Sequence, residues 1–404
     1  MRVLMIGWDK SIFPTTQSVG GDSLDRHIKY AEALRHSTSN GQLTIAIRTP
    51  RGTSDQPINI SNALVAFPIP CSRWAFPYAA LRILTPILKN TRFDLVTTQT
   101  PFDDGLVGLW LKHRHGIPLN AQMRSSFLDM PNWINQRPVT YRVLNAIGKR
   151  VIHKADTIRV ISNGEKARLS DKFPQKSDRI HALHPLVNTH IFSNPVTTEE
   201  GDRVQTEMNQ SGLGGSPYIL YVGRLVKEKN IGLLLTAFAS IRVSSPDLTL
   251  VVAGDGPLRE TLIKQATDLK ISDRIKWLGN ISLGDLRGWY ANAEATVLPS
   301  LQEGFGKVIV ESYLMSTPVV TTPFVSAPEL ILNNETGFIT NSFIDPTDLS
   351  NKVTSLLASS KQSQLMGSRG RDHIKEYLIP DDAYMNKLLK IWEHTVRSTD
   401  AQSI

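Results

Sequence analysis

The sequence is poor in cysteine, in long apolar runs and in metal-ligand clusters, and each shortage excludes something. One cysteine, Cys71, stands among 404 residues. A single thiol permits no intrachain disulfide, so a reducing compartment is expected. No stretch approaches the ~18 uninterrupted apolar residues that a bilayer span requires. The N-terminus, Met1-Arg2-Val3-Leu4-Met5-Ile6-Gly7-Trp8-Asp9, holds a four-residue apolar run. That is too short for a secretory signal and reads as a buried first strand. There is no Asp-x-Asp motif and no His/Cys cluster to hold a divalent cation. Short repeats and low-complexity tracts are also absent.

What is present suits a folded protein of two or three domains. The apolar fraction is 41% and the charged fraction 20%, which argues against disorder, collagen or a coiled coil. One core seldom grows beyond ~250–300 residues, so two lobes are the default. The net charge of +8 is uneven. Residues 1–200 hold 25 Lys+Arg against 15 Asp+Glu, net +10; residues 201–404 hold 20 against 22, net −2. The first half is therefore expected to face something anionic: nucleic acid, anionic lipid or a phosphorylated small molecule.

Short apolar runs alternate with amphipathic stretches in both halves. Strands are expected at Arg2–Gly7, Leu43–Arg48, Asp94–Thr98, Pro118–Met123 and Thr157–Ser162. In the second half they are expected at Tyr218–Gly223, Leu248–Gly254, Arg274–Leu278, Ala295–Pro299, Pro318–Thr321 and Gly337–Ile339. Helices fall between them, and this alternation implies parallel βαβ sheets. Residues 193–217 are polar and rich in Gly, Ser and Pro, as an inter-domain linker should be. The expected division is an N-terminal domain over 1–195, completed by a C-terminal helix near 380–400, and a second domain over 215–378. Ligands of such doubly wound domains bind beyond the strand C-termini.

Four motifs could carry chemistry. Glu303-Gly304-Phe305-Gly306-Lys307-Val308-Ile309-Val310-Glu311 follows a strand and enters a helix. Its glycines allow close backbone approach, and the free N–H groups of a first helical turn attract anions. A rise of ~1.5 Å per residue puts Glu303 and Glu311 about 12 Å apart, matching an elongated ligand with hydroxyls at each end. The alternative is a Glu303 that favours the helix dipole and a solvated Glu311. Gly223-Arg224-Leu225-Val226-Lys227-Glu228-Lys229 also follows a strand; Arg224 and Lys229 can converge on one phosphate, or be a solvated loop. Gly254-Asp255-Gly256-Pro257 ends another strand, with a helix expected to start at Pro257. It lacks the third glycine of the dinucleotide fingerprint, which disfavours nicotinamide binding. Gly20-Gly21 precedes a helix with Arg26 and His27. It could present backbone N–H groups to a phosphate or be a flexible loop.

Together, Gly20-Gly21, Val160-Ile161-Ser162, Gly223-Arg224-Leu225 with Lys229, Gly254-Asp255-Gly256-Pro257 and Glu303-x7-Glu311 resemble the family 4 glycosyltransferases. The resemblance runs from about residue 1 to 340. It implies the GT-B fold, two Rossmann-like α/β domains facing across a cleft, and a retaining group 1 enzyme. A nucleotide-diphosphate sugar would bind mainly to the second domain, and no cofactor or metal is implied. By the family pattern Arg224 and Lys229 hold the diphosphate, Glu303 the hydroxyls of the transferred sugar and Glu311 the ribose. Backbone N–H groups at Gly306, Lys307 and Val308 complete the phosphate site, and Gly304 and Phe305 belong to the donor-binding set. Gly254, Gly256 and the stretch Gly279–Ile281 border the base, and Gly21 approaches from the first domain.

The sequence departs from the family in two places. Arg124 stands where many members carry a histidine, and it suits an anionic acceptor or a structural role. The family's Asn-Gly hinge is altered to His184-Pro185-Leu186-Val187-Asn188. Arg124 and His27 are the acceptor-side candidates. Trp74-Ala75-Phe76-Pro77-Tyr78, flanked by Arg73, Arg82, Lys89 and Arg92, could lie on an anionic membrane, as could a second basic stretch of Arg142, Lys149, Arg150, His153 and Lys154; the alternative is a core helix with a solvated basic face. A cytoplasmic enzyme, free or on the cytoplasmic membrane face, acting on a glycan or lipid-linked acceptor is the expectation, with no nucleic acid partner. A non-catalytic partner subunit and a sugar-nucleotide epimerase are the competing readings.

Overall fold

A computed structural model of the chain describes residues 1–13, 23–192, 194 and 196–400. It forms two units, Met1–His184 with Ile379–Ile404, and Pro185–Leu378.

In chain order the first unit holds β1 (Arg2–Gly7), α1 (Ser23–Ser37), β2 (Gln42–Thr49), β3 (Ile58–Ser61), β4 (Leu64–Pro70), α2 (Phe76–Asn90), β5 (Leu95–Thr98), α3 (Asp103–His115), β6 (Leu119–Met123), α4 (Pro131–Ile134), α5 (Pro138–Lys154), β7 (Thr157–Val160), α6 (Asn163–Lys172) and β8 (Ile180–Ala182). The sheet order is β3-β4-β2-β1-β5-β6-β7-β8, and only the edge strand β3 runs antiparallel to its neighbour. Every residue of β5, β6 and β7 is buried, as strands covered on both faces must be. Helix ends follow local chemistry. The Ser162 hydroxyl accepts from Glu165 N at 3.1 Å to start α6. Gly116, at φ 66°, takes the left-handed conformation that closes α3.

The second unit holds α7 (Thr189–Phe192), α8 (Thr198–Gln210), β9 (Tyr218–Val222), α9 (Ile231–Ser244), β10 (Thr249–Ala253), α10 (Arg259–Asp268), β11 (Ile275–Gly279), α11 (Leu283–Ala291), β12 (Ala295–Leu298), α12 (Lys307–Leu314), β13 (Val319–Thr321), α13 (Ala327–Leu330), β14 (Gly337–Ile339), α14 (Pro346–Leu357) and α15 (Ser360–His373). Its strands are all parallel, in the order β11-β10-β9-β12-β13-β14. Strand order reverses at β9 and β12, so a crevice opens at their carboxyl ends.

The chain ends in α16 (Asp381–Asp400), which packs on α1 and on β5, β6 and β7 of the first unit. Tyr384, Leu388 and Trp392 are its buried stripe. A polar ladder docks it: Gln122 donates to Thr97 at 2.9 Å, Thr97 to Asn120 at 3.0 Å, Asn120 to Thr157 at 2.8 Å, and Thr157 meets Thr395 at 2.6 Å. Arg159 donates to the Tyr384 hydroxyl at 2.6 Å.

The two parallel α/β sheets expected from the alternation are present. Two local expectations are corrected. Residues 193–217 are largely not linker: α8 opens on a capping box between Thr197 and Glu200 and buries Val204 and Met208. The helix after Gly256 starts at Arg259 rather than Pro257; Pro257 and Leu258 form a turn in which the Leu258 N–H donates to the Leu225 carbonyl at 3.1 Å. Strands β3, β4 and β8 and helix α15 were not anticipated.

Candidate active site

Three loops leave the carboxyl ends of β10, β9 and β12, and backbone hydrogen bonds join them. Leu225 N donates to Asp255 O at 2.9 Å, and Leu301 N to Glu228 O at 2.9 Å. Two glycines make the first junction possible. A Cβ on Gly254 would lie 2.0 Å from the Gly223 carbonyl oxygen, and one on Gly256 would lie 2.6 Å from that of Leu225. Gly254 N also donates to Gly279 O at 2.7 Å, which brings together the two stretches expected to border a base.

Across this floor the ammonium of Lys229 pairs with Glu303 Oε1. The Ser300 hydroxyl donates to the same oxygen at 2.8 Å. Both charged side chains are largely buried, so each supplies the counter-charge that the other needs in a poorly solvated place. Lys229 therefore sits on a carboxylate. Arg224 is exposed on the same loop. Tyr221 lies beneath it and donates to the Arg224 carbonyl at 3.2 Å; burial, then the Glu303 carboxylate, holds that phenol well above its ordinary pKa.

Helix α12 begins at Lys307, with Gly306 as its cap at φ 92°. Glu303 and Gly304 are thus in the loop, and a helical rise does not set the Glu303 to Glu311 spacing. The Ser326 hydroxyl donates to the carbonyls of Gly304 at 3.2 Å and Phe305 at 3.1 Å, fixing the loop from below. Phe305 is buried, 6.3 Å from the Tyr377 ring. Lys307 and Val308 occupy the first turn, whose N–H groups give the helix start its positive end. Glu311 is buried rather than solvated, and the Tyr290 hydroxyl donates to its Oε2 at 2.9 Å. Burial and that carboxylate push the Tyr290 pKa well up.

The structure thus gathers Arg224, Lys229, Gly254, Gly256, Glu303, Gly304, Phe305, Gly306, Lys307, Val308 and Glu311 in one unit. Gly21 lies outside the described residues. Arg124 and His27 belong to the first unit. Arg124 lies 3.8 Å from Asp9, which Arg26 also approaches at 3.7 Å. His27 is buried with Nδ1 2.6 Å from the Ser23 carbonyl, and burial, then the Arg26 charge, lowers its pKa to about 3. The imidazole is therefore neutral near pH 7. Among the described residues no three His, Cys, Asp or Glu side chains come together to hold a metal ion.

Sequence reasoning gave no role to Asp9, Tyr221, Tyr290, Ser300 and Ser326, although Tyr221 stands at the end of the strand just before Gly223 and Arg224. Ser300 also carried a local signal, standing between the strand end and Glu303.

Two Rossmann-like units, the second with ligand-type loops at the carboxyl ends of its strands, form the GT-B fold. The sequence families described as Glycosyltransferase Family 4 and Glycosyl transferases group 1 match residues 31–191 and 204–373 respectively. The chain belongs to this glycosyltransferase family. It is 29% identical over 244 residues to the GDP-mannose-dependent alpha-(1-6)-phosphatidylinositol monomannoside mannosyltransferase of Mycolicibacterium smegmatis, covering 58% of this chain and 60% of that protein. It is 28% identical over 252 residues to the alpha-monoglucosyldiacylglycerol synthase of Streptococcus pneumoniae, covering 61% of this chain and 55% of that protein. The matched stretch thus spans less than two thirds of each relative. A sucrose-phosphate synthase from Thermosynechococcus elongatus shares the fold at TM-score 0.76 and 20% identity, covering 97% of this chain and 98% of that one.

Proposed function

We propose that the chain transfers a hexose-type sugar from a nucleotide-diphosphate sugar to an acceptor hydroxyl, with retention at the anomeric carbon and without a divalent metal. The product would be a glycan, polysaccharide or glycolipid. The observation that carries this reading is the Lys229–Glu303 pair at the β9/β12 switch point, beside the Gly306-capped start of α12. It places a cation for phosphate and a carboxylate for sugar hydroxyls on adjoining loops.

In this proposal the C1–O bond to the diphosphate breaks as the acceptor oxygen bonds to C1. The acceptor proton leaves with the departing phosphate oxygen. Lys229, Arg224 and the first N–H groups of α12 offset the charge that develops on the leaving group, the role a metal would otherwise fill. Glu303 orients the transferred sugar, and Glu311, held by Tyr290, receives the ribose hydroxyls. The loops at Gly254 and Gly256 border the base. Arg124 and His27 serve the acceptor. The mannosyltransferase and the diacylglycerol synthase named above both carry a lipid in their names, which supports a lipid-linked acceptor; work on the cytoplasmic membrane face belongs to the same proposal. They give no support to a non-catalytic subunit or an epimerase.

A thermal-shift screen of UDP-, GDP- and ADP-linked hexoses identifies the donor, since a ligand of the folded state raises its stability as RT ln(1 + [L]/Kd). Proton NMR of the product formed in EDTA then reads the anomeric coupling. Retained configuration in EDTA is expected. Inversion overturns the stereochemical part, loss of activity in EDTA the metal-free part, and absence of nucleoside diphosphate with every donor the transfer itself.

A further inference from the structure

Helices α2, α3 and α5 pack side by side on one face of the first sheet, with α3 in the middle. Their inner sides are an ordinary core: Phe76, Ala80, Leu84, Val107, Leu111, Leu144 and Val151 are buried together. Their outer sides are not an ordinary surface. Ten large hydrophobic residues are exposed among the described residues, and five of them, Trp74, Tyr78, Trp110, Val139 and Val143, lie on these helices or one turn before them. Tyr78 is 76% exposed and Val139 79%. A soluble surface spreads such residues singly; gathering them marks a contact region.

Charge on the same layer has one sign. Helices α2 and α5 contain no Asp or Glu, and the two in α3, Asp103 and Asp104, are buried. Arg48 and Arg73 pair with Asp103 at 3.2 and 3.3 Å. Among the cations, Lys112 pairs with Asp156 at 2.5 Å and Lys149 with Asp129 at 2.7 Å. Arg82, Lys89, Arg114, Arg142, Arg150 and Lys154 are exposed, and among the described residues none has a carboxylate within ion-pair distance. Lys89, Arg114 and Lys154 stand in last turns, where they also suit the helix dipole. Arg82, Arg142 and Arg150 do not, and stand between the exposed apolar residues and the basic ends.

We propose that this layer is a docking surface for an anionic lipid bilayer. Trp74 and Tyr78 suit the headgroup boundary, where an aromatic body is apolar and its polar tip wet. The six exposed cations meet acidic headgroups, and the lack of exposed carboxylates on the three helices leaves Asp55, in the depression beside Tyr78 and Arg82, outnumbered by them. The surface specifies the membrane-side reading given above and rests on it. Its test reads binding alone, so failure here is distinguishable from failure of the transferase reading.

The experiment is co-sedimentation of the full chain with vesicles of phosphatidylcholine alone or with 30 mol% phosphatidylglycerol, at low and high salt. Binding to the anionic vesicles at low salt, at least tenfold above the neutral ones and lost at high salt, is expected. R142E/R150E should reduce that binding at least tenfold, and W74A/Y78A severalfold. K264E/K361E, an equal charge change on exposed residues of the second unit, should leave it intact. Unchanged melting temperatures show that the variants fold. Absence of anionic binding overturns the proposal, as does equal loss in the K264E/K361E control. Binding of a single-stranded RNA oligonucleotide through Arg142 and Arg150, with none to vesicles, also overturns it.

Discussion

Lys229 and Glu303 stand 74 residues apart in sequence and form an ion pair in the fold, with Ser300 donating to the shared carboxylate oxygen at 2.8 Å. The pairing exists because β9 and β12 are neighbours in the sheet. Removing either partner leaves a largely buried charge. K229A and E303Q should therefore each destabilise the second unit by about 1–3 kcal/mol. K229A/E303Q should cost less than the sum of the two, since no stranded charge remains. Urea unfolding of the three variants checks this; strict additivity contradicts a direct pair.

Tyr290 and Glu311 form a second couple, buried and 2.9 Å apart. Y290F removes the donor and leaves the carboxylate oxygen without it, at about 1–3 kcal/mol. With Glu311 on the ribose, the KM for donor should rise more than kcat falls. A kcat loss at unchanged KM would separate Glu311 from donor binding.

Gly254 has φ 141°, and a Cβ there would meet the Gly223 carbonyl oxygen at 2.0 Å. Neither backbone can yield without parting β9 from β10. G254A should destabilise by about 3 kcal/mol or more, among the larger effects of single substitutions. A melting temperature within a degree of wild type would contradict the tight junction.

Asp104 is buried and accepts from Thr100 N at 2.6 Å. Burial, then the Asp103 carboxylate, raises its pKa from 3.8 to about 7. The unfolded chain loses this proton near 3.8, while the folded chain keeps it to about 7. The folded state thus binds more protons between those values, and stability falls as pH rises through that window. D104N stays neutral throughout. Its stability relative to wild type should grow from pH 4 to 7 and level off above, measured by urea unfolding at each pH. Parallel profiles would contradict a protonated Asp104.

The strands of the second unit were legible because runs such as Ala295–Leu298 and Gly337–Ile339 are apolar and end at turn residues. Strand β4 was hidden by Pro68 and Pro70, and β3 by its polar Asn59 and Ser61 at a sheet edge. Helix α8 looked like a linker because Thr-Glu-Glu-Gly-Asp is polar. Its signal was the box Thr197–Glu200 followed by Val204 and Met208, four apart. At the candidate site the loops and residue types could be read locally. The hydroxyl partners Tyr290 and Ser326 could not, since tertiary packing alone brings them to Glu311 and to the carbonyls of Gly304 and Phe305. The three-helix basic layer was half visible: the Trp74–Tyr78 segment and the basic stretch Arg142 to Lys154 stood out, but their placement on either side of α3 follows from sheet order.

The central claim is that the Lys229–Glu303 site activates a nucleotide sugar. Nucleoside diphosphate release should be measured for wild type and K229A with the donor that the thermal-shift screen identifies. Release by wild type and a fall of ~10²–10³ in K229A are predicted, the loss expected when a preorganised charge at a leaving group is removed. Equal release by both proteins, at full folding, would contradict the account.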